Sequence, residues 1–475
     1  MTEKTYYPTI GLEIHAELST KTKMFCKCEN NPFDATPNAH TCPVCMAHPG
    51  SLPVPNKAAI EQMVRIGLAV DGEVANFTEF DRKNYFYPDI PKGWQITQYK
   101  YPIVSGGKLA GVELTRIHLE EDTATSKHSE DGTLVDYNRA GVPLMELVTE
   151  PVLHSSEDAM NFARELQLLL RYLGASHANM EKGEMRVEVN VSVSADPEKL
   201  GTKVEVKNIA SFGMAGKAID YEINRMTDLL EAGRGDEIVQ ETRGWDDENS
   251  KTFSQRSKEN SADYRYFPEP DIPKYHLHEL YNLDEIKKEL PELPWERRER
   301  YAALGLAQDA LDVFIQDQEL ATVFENTIIL FDGDAKKIQL AANYLVSDLM
   351  GMVKNEEAGR SLIKRLSADH FAELILMTHA GDINSRATKD ILTILVTEGG
   401  DPKMIAEERG LLQQNDTEAL KVMAQAILDE NPQAVEDYKA GKETSIKFLV
   451  GQAMKASKGS ANPQMMEEIY KELMN

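Results

Sequence analysis

The strict alternation of the segment IGLEIHAEL, residues 10–18, is the feature that most limits what this chain can fold into. Successive side chains of a β-strand point to opposite faces of a sheet. One face of this segment therefore carries aliphatic side chains, whereas Glu13, His15 and Glu17 share the other face. The pattern predicts a strand of a mainly antiparallel sheet that is buried on one side only.

Two later segments have the same design. RVEVNVSV (186–193) places Arg186 and Glu188 opposite a row of valines, and KVEVKN (203–208) does the same with Lys207. One interpretation is that the polar face is only solvated, as is usual for an antiparallel sheet. The other is that it binds a hard cation, because clustered carboxylates repel one another unless a cation neutralises them. Oxygen ligands with at most one imidazole suit Mg²⁺ or Mn²⁺ better than zinc.

Further acidic residues follow in two short segments. RIHLEED (116–122) ends in three consecutive acids that include Glu121, at the predicted end of a strand. Glu146 lies inside an apolar strand, between Met145 and Leu147. A carboxylate there is costly to bury unless it is paired or bound to a metal. The alternative is that Glu146 is a surface residue of an edge strand.

The periodicity changes along the chain, and the chain is longer than one hydrophobic core usually supports. Residues 1–290 read as an α+β domain, with helices predicted at 157–173 and 215–230. The proline-rich and charged segment LPELPWERRER reads as a linker, and almost everything after it has helical periodicity. We expect an all-helical domain over 291–405 and a helical tail domain over 406–475, separated near the glycine pair 399–400.

Composition excludes some classes of protein. The sequence contains no apolar run of the roughly 18–20 residues that span a bilayer. The N-terminal segment lacks the pattern of a secretory signal, so we expect a cytoplasmic protein without membrane partners. A net charge of −26 disfavours non-specific nucleic-acid binding. It does not exclude a specific basic patch, since exposed charges act over only about 8 Å at physiological salt.

All the cysteines lie close together in the sequence. They form the pairs Cys26-x-Cys28 and Cys42-x-x-Cys45, with thirteen residues between the pairs. Two such pairs indicate a closed, four-thiolate structural zinc site. His40 or His48 could replace one of these ligands, and four unligated thiols remain the alternative. A cytosolic chain of this length with four cysteines is not a disulfide scaffold.

An aromatic and basic segment, DRKNYFYPDIP (81–91), mixes charged side chains with three aromatic ones. Basic residues beside aromatics can bind phosphate and stack a base. Lys83 and Asn84 are the candidates for polar ligand contacts, whereas Phe86 could equally be a core residue. The segment YRYFPEPD (264–271) is a similar string, for which a rigid proline-rich turn is the alternative. Two common glycine-rich phosphate-binding motifs, G-x-x-x-x-G-K-[ST] and G-x-G-x-x-G, are both absent from the sequence.

Several long strings resemble one known family. They are IGLEIHAEL, FDRKNYFYPDIPKGWQITQ, LEEDTATS, DYNRAGVPLMELVTEP, KVEVKNIASF, QETRGWD, SADYRYFPEPDIP and, near the C-terminus, FLVGQAMKASKGSANPQ. Together they are similar to the B subunits of the aspartyl/glutamyl-tRNA(Asn/Gln) amidotransferases. The resemblance implies a cradle-shaped N-terminal domain, a helical domain and a helical tail. It also implies a ligase that forms carbon–nitrogen bonds for protein biosynthesis.

The activity implied by the resemblance uses ATP and Mg²⁺. The side-chain carboxylate of Glu-tRNA(Gln) or Asp-tRNA(Asn) is phosphorylated, and ammonia then displaces phosphate to give the amide. The sequence leaves open which of these mischarged tRNAs is used. Because the chain has no serine-rich amidase signature, ammonia must come from a partner. The resemblance implies a heterotrimer with an amidase-type glutaminase subunit and a small bracing subunit.

The resemblance also implies roles for individual residues. The metal-binding positions correspond to His15, Glu121 and Glu146. Glu13 and Glu188 correspond to residues close to that metal, although Glu188 stands where relatives can have aspartate. Three basic residues, Lys83, Arg186 and Lys207, are candidates for phosphate contacts, and the candidates for tRNA contacts in the tail are Lys447, Lys455 and Lys458. The rival hypotheses are a non-catalytic tRNA-binding scaffold and a zinc-dependent hydrolase that uses the cysteine cluster.

Overall fold

A computed structural model describes residues 5–33, 35–257, 261–355, 359–413, 417–457 and 461–474. The chain divides into two compact units, Met1–Pro294 and Trp295–Asn475. The first unit contains every described strand, and the described part of the second contains helices without strands. The predicted α+β fold is therefore confirmed. The finer division at 405/406 stays a prediction.

The described strands all precede the helical unit. In chain order they are β1 (Tyr7–Glu17), β2 (Glu73–Val74), β3 (Phe77–Thr78), β4 (Asp81–Asn84), β5 (Trp94–Thr97), β6 (Val104–Ser105), β7 (Lys108–Leu109), β8 (Val112–Glu121), β9 (Thr125–Ser129), β10 (Gly132–Asp136), β11 (Pro143–Thr149), β12 (Met185–Ser194), β13 (Val204–Lys207), β14 (Glu241–Asp246), β15 (Lys251–Ser257), β16 (Phe267–Pro268) and β17 (Tyr275–His276).

One large sheet organises the first unit. Its strand order is β15-β14-β13-β12-β1-β11-β8-β6-β2, with β7 paired to β8. The neighbouring pairs are antiparallel except for β13 and β14, which run parallel. A smaller sheet, β16-β4-β5, carries the aromatic and basic segment. The predicted strand over residues 10–18 is thus the central strand β1, with hydrogen-bonded neighbours on both sides.

The helices in chain order follow. They are α1 (Lys57–Ala69), α2 (Ser156–Tyr172), α3 (Phe212–Glu231), α4 (Leu277–Leu280), α5 (Leu283–Lys288), α6 (Pro294–Ala303), α7 (Gln308–Gln316), α8 (Gln318–Ile328), α9 (Ala335–Asn343), α10 (Met350–Asn355), α11 (Ser361–Arg365), α12 (Ala368–Ala380), α13 (Ser385–Thr397), α14 (Pro402–Glu408), α15 (Thr417–Glu430), α16 (Pro432–Lys439), α17 (Thr444–Ala456) and α18 (Pro463–Met474), with a π-helical segment at Tyr344–Leu349.

Helices cover the apolar face of the large sheet. α2 packs on β1, α3 on β12, and α1 on β8. Ser155 and Ser211 cap the first turns of α2 and α3, because each hydroxyl accepts a hydrogen bond from the backbone N–H three residues on. Gly174 follows α2 with φ +64°, a conformation that favours glycine. Both helices predicted from sequence are confirmed, and their packing leaves the polar face of the sheet for chemistry.

The last four helices share a hydrophobic core. Leu420 and Ile427 of α15 pack with Leu449 of α17 and with Tyr470 of α18. This core is what the predicted tail domain requires. Within the described ranges, none of the helices is long and apolar enough to cross a membrane.

Candidate metal and phosphate site

The register of the central strands gathers acidic and imidazole side chains on one face of the sheet. His15 of β1 lies opposite Glu146 of β11 on one side and opposite Arg186 of β12 on the other. Glu146 in turn lies opposite His118 of β8. Opposing residues of neighbouring strands point to the same face. Four neighbouring strands therefore place polar side chains next to one another on the same face of the sheet.

Glu146 lies between two histidines. Its Oε2 is 3.3 Å from Nε2 of His15 and 3.4 Å from Nε2 of His118. The carboxylate of Glu120 joins them, with Oε1 3.6 Å from Nε2 of His15. Two overlapping groups, Glu13–His15–Glu146 and His118–Glu120–Glu146, have their ligand atoms within 4.8 Å of one another. Carboxylate oxygens with imidazole form a donor set that fits a hard divalent cation.

Glu121 is not brought into this group. It follows Glu120 in the same strand, so the two carboxylates point to opposite faces. The carboxylate of Glu121 lies 2.5 Å from the ammonium of Lys92 and accepts a hydrogen bond from the backbone N–H of Ile96. The structure therefore places Glu120, and not Glu121, beside His15, and the ligand role of Glu121 stays a prediction.

A third acidic group extends the face towards β13. Glu13, Glu188 and Glu205 also place their oxygens within 4.8 Å of one another. The ammonium of Lys207 lies 2.6 Å from Glu188 and 3.9 Å from Glu205, so it neutralises part of this charge. Glu13 belongs both to this group and to that of His15 and therefore connects the two.

The pKa values show how crowded the negative charge is. Burial, together with repulsion from Glu146 and Glu188, raises the pKa of Glu13 to about 7. Burial opposes the charging of His15, but the hydrogen bond and charge of Glu146 outweigh it and raise the pKa of His15 to about 9. Burial lowers the pKa of His118 to about 4. A bound cation would relieve the repulsion among the carboxylates.

A cavity of about 220 Å³ opens on this face. Its lining combines the acidic group with two lysines, an arginine and three tyrosines: Glu13, Lys83, Thr97, Gln98, Tyr99, Arg116, His118, Glu120, Glu146, Glu205, Lys207, Thr242, Tyr264 and Tyr266. Two predicted phosphate contacts, Lys83 and Lys207, thus line the same cavity as Glu13, His118, Glu120 and Glu146. Cationic side chains next to candidate metal ligands suit the binding of phosphate oxygens.

Two other predicted contacts point elsewhere. Asn84 donates hydrogen bonds to the backbone carbonyls of Tyr264 and Arg265, at 3.0 and 2.9 Å. Arg186 pairs with Asp122 at 2.8 Å. Among the described residues, the cavity lining includes neither Asn84 nor Arg186. The geometry gives both of them partners within the protein instead of a free approach to a ligand.

The aromatic segment is less buried than one interpretation proposed. Phe86 is 80% exposed, so the interpretation of Phe86 as a core residue is wrong. Its ring lies over Gly93, where an added Cβ would come within 3.1 Å of the ring. Tyr85 instead donates its hydroxyl to Gln95. The first four residues of the segment form β4 of the small sheet.

Sequence reasoning missed several lining residues. His118 and Glu120 belong to the segment RIHLEED, and its two-residue alternation places both on one face of β8. That alternation was available in the sequence, whereas the pairing of β8 with β11, which brings this face to Glu146, was not. Thr97, whose hydroxyl donates to Glu120 at 3.0 Å, comes from another strand and has no comparable local signal.

The four cysteines converge as predicted from their spacing. Their sulfur atoms all lie within 4.8 Å of one another, and the described group contains neither His40 nor His48. The sulfurs of Cys42 and Cys45 are 3.8 Å apart. Hydrogen bonding from the thiol of Cys26 lowers the pKa of Cys45 to about 5. The cluster is thus able to hold a metal ion as a closed set of four thiolates.

Two of the three predicted tRNA contacts, Lys447 and Lys455, lie on α17. Lys447 and Lys455 are exposed on α17, eight residues apart, and the opposite side of the helix packs through Leu449 and Ala453 into the tail core. Lys458 lies outside the described residues. The exposed lysines are two helical turns apart, a separation at which both can contact one phosphate backbone.

Comparisons with known proteins agree along the chain. Residues 8–282 match the family model described as the GatB/GatE catalytic domain, and residues 323–474 match the one described as the GatB domain. The B subunit of the chloroplastic/mitochondrial glutamyl-tRNA(Gln) amidotransferase of Oryza sativa subsp. japonica is 44% identical over 98% of this chain and 87% of its own.

Bacterial relatives are equally similar. The B subunit of the aspartyl/glutamyl-tRNA(Asn/Gln) amidotransferase of Persephonella marina is 42% identical over 99% of both chains. The protein of the same name from Thermus thermophilus is 43% identical, again over 99% of both chains. The matched segments include the strands that carry the acidic and imidazole group. The chain therefore belongs to the family of aspartyl/glutamyl-tRNA(Asn/Gln) amidotransferase B subunits.

Proposed function

We propose that this chain is the subunit of a tRNA-dependent amidotransferase in which the mischarged aminoacyl group is activated and amidated. The observation that carries the proposal is the cavity in which an acidic and imidazole group meets Lys83 and Lys207. The substrates are ATP and Glu-tRNA(Gln) or Asp-tRNA(Asn). The names of the relatives support this substrate class.

The reaction has two balanced steps. A side-chain carboxylate oxygen of the aminoacyl group attacks the γ-phosphorus of ATP, and ADP leaves. Ammonia then attacks the carbonyl carbon of the acyl phosphate, loses a proton and expels inorganic phosphate. Phosphoryl transfer needs alignment and charge neutralisation more than covalent chemistry. Lys83 and Lys207 supply positive charge next to the transferred group.

The residues that would hold Mg²⁺ are Glu13, His15, Glu120 and Glu146. Their carboxylates and imidazole form the donor set that the cation prefers. When bound, Mg²⁺ neutralises phosphate oxygens during transfer. Thr97 orients Glu120 through its hydroxyl, and Arg116 approaches Glu146 at 3.5 Å. Each contact helps to hold one carboxylate of the acidic group in position.

The cysteine cluster is proposed to bind zinc in a structural role. Four sulfurs within 4.8 Å of one another leave no position for a substrate in a tetrahedral set. The zinc-dependent hydrolase hypothesis requires such an open position. The cluster therefore stabilises the segments around it and takes no part in the reaction.

The supply of ammonia requires partner subunits, whereas this chain itself contacts the tRNA. A glutaminase subunit of the amidase type supplies ammonia, and a small bracing subunit completes a heterotrimer. The exposed lysines Lys447 and Lys455 contact the tRNA backbone, with Lys458 proposed alongside them. The relatives are named as subunits, which supports an assembly. We also propose a cytoplasmic location.

An isotope experiment tests the activation step directly. Mischarged tRNA is prepared with ¹⁸O in the side-chain carboxylate and incubated with the reconstituted complex, ATP and glutamine. Attack of the carboxylate on ATP predicts transfer of one ¹⁸O atom into inorganic phosphate for each amide formed. A scaffold role predicts that amide formation and label transfer both continue when this chain's own site is altered. Phosphate without label, released during amide formation, would refute the proposed intermediate.

A further inference from the structure

Three tyrosines form one wall of the cavity, here named the tyrosine wall: Tyr99, Tyr264 and Tyr266. The rings of Tyr99 and Tyr266 are stacked, with centroids 4.1 Å apart and planes only 5° from parallel. Tyr264 meets Tyr266 edge-on at 5.9 Å. The wall stands beside the acidic group and has not been assigned a role in the reaction.

The tyrosine wall does not serve as ordinary core packing. Tyr99 is 51% exposed, so part of the stacked pair remains open to solvent. A fully buried aromatic would contribute mainly through apolar area, whereas an exposed stack leaves π-surface available to a planar ligand. Lys83 adds a cation, since its ammonium lies 5.0 Å from the centroid of the Tyr264 ring.

The backbone holds the tyrosine wall in a specific conformation. Arg265, between the two wall residues of that segment, has φ +46°, in the left-handed region that non-glycine residues rarely adopt. Such a conformation persists when surrounding contacts require it. Asn84 provides them, because its amide donates to the carbonyls of both Tyr264 and Arg265. Asn84 is thus a positioning residue for the wall.

We infer that the tyrosine wall binds the adenine ring of an adenosine group, by stacking against the Tyr99–Tyr266 pair. The inference rests on the proposed function, in which both substrates carry adenosine: ATP does, and so does the 3′ end of tRNA. In either case the charged part of the ligand lies towards Lys83 and the acidic group. The cavity thereby separates base recognition from phosphate binding.

The test measures the equilibrium binding of four probes to the intact three-subunit complex, under conditions in which no amidation takes place. Affinities are measured for ATP and inorganic tripolyphosphate, each with Mg²⁺, and for uncharged tRNA ending in CCA and in CC. The ratio within each pair isolates the contribution of the adenosine. The variants are Tyr266→Leu, which removes the ring, and Tyr266→Phe, which keeps it. Tyr7→Leu is the matched control, an exposed tyrosine at the start of β1.

Tyr266→Leu should reduce one of the two ratios about tenfold, within the range that base–aromatic stacking provides. Loss of the ATP-to-tripolyphosphate ratio assigns the wall to ATP, and loss of the CCA-to-CC ratio assigns it to the tRNA end. Tyr266→Phe and Tyr7→Leu should leave both ratios within about twofold of wild type. Unchanged tripolyphosphate affinity would show that the site itself is intact.

The inference is overturned if wild type shows both ratios and Tyr266→Leu alters neither. Wild-type protein that binds none of the four probes would refute the proposed function as well, so the two failures are distinguishable. Asn84→Ala tests the positioning role separately. Asn84→Ala should reduce the same ratio as Tyr266→Leu, while the affinity for tripolyphosphate stays unchanged. Equal losses of affinity for ATP and for tripolyphosphate would instead show a general structural effect and overturn the positioning role.

Discussion

Two neighbouring glutamates on β8 allow a sharp test of the metal site. Glu120 faces His15 and Glu146, whereas Glu121 faces Lys92 on the other side of the sheet. Substituting each with glutamine keeps the size of the side chain and removes its charge. The structure predicts opposite outcomes for these two substitutions, although the residues are adjacent in the chain.

Glu120→Gln should weaken cation binding with little change in folding stability. Its carbonyl oxygen can still accept the hydrogen bond from Thr97, and loss of the charge relieves repulsion from Glu146. Altering residues that merely support metal ligands costs about 10–100-fold in affinity, so loss of a charged ligand should cost at least about 100-fold. That factor corresponds to about 2.7 kcal/mol.

Glu121→Gln should lower folding stability and change cation binding little. Glu121 is buried and the side chain of Lys92 is only 12% exposed, and removing one partner of a buried ion pair costs about 3–5 kcal/mol. Glutamine can still accept one hydrogen bond, so about 3 kcal/mol is expected. At roughly 2 °C per kcal/mol for a unit of this size, the melting temperature should fall by about 6 °C.

Both quantities can be measured without catalysis. Mn²⁺ binding to the intact complex is followed by electron paramagnetic resonance and competed with Mg²⁺, and thermal unfolding is followed by calorimetry in a chelator. If Glu121→Gln lowers cation affinity as strongly as Glu120→Gln does, the reasoning from the strand faces is refuted. A chelator control separates loss of the ion from loss of the fold.

Three further outcomes are expected. Lys83→Met should weaken ATP binding at least about tenfold in titration calorimetry, since it removes a charged phosphate contact; unchanged affinity would exclude that contact. Cys42→Ser should lower zinc content and melting temperature together, whereas loss of activity at full stability would favour the hydrolase hypothesis. Combined Lys447→Ala and Lys455→Ala should lower tRNA affinity and reduce the slope of log affinity against log salt by about 2; an unchanged slope would contradict the tail contacts.

Local patterns in the sequence determined much of the fold. Period-two alternation in residues 10–18 placed His15 and Glu13 on the polar face of a strand, and the structure has them there. Helical periodicity predicted α2 and α3, and serines cap both helices. The cysteine spacing predicted a cluster that the structure shows. Each of these features depends on neighbours within a few residues, which is why sequence carries the signal.

Strand register decided the composition of the site. Alternation states that Glu120 and Glu121 face opposite ways, but it does not state which of them meets His15. The order β12-β1-β11-β8 settled that choice in favour of Glu120. The same order joined Glu13 to Glu205, from a strand almost two hundred residues later in the chain.

Contacts distant in sequence also decided what Asn84 and the tyrosine wall do. The sequence by itself determined that a polar, acidic sheet face, a thiol cluster and an aromatic segment exist in this chain. Only the tertiary structure decided that Lys83 of the aromatic segment and the acidic sheet face line one cavity, and that Asn84 holds a backbone segment 180 residues away. The physical reason is that hydrogen-bonded register and packing between distant segments are set by the whole fold, whereas periodicity is a property of each segment alone.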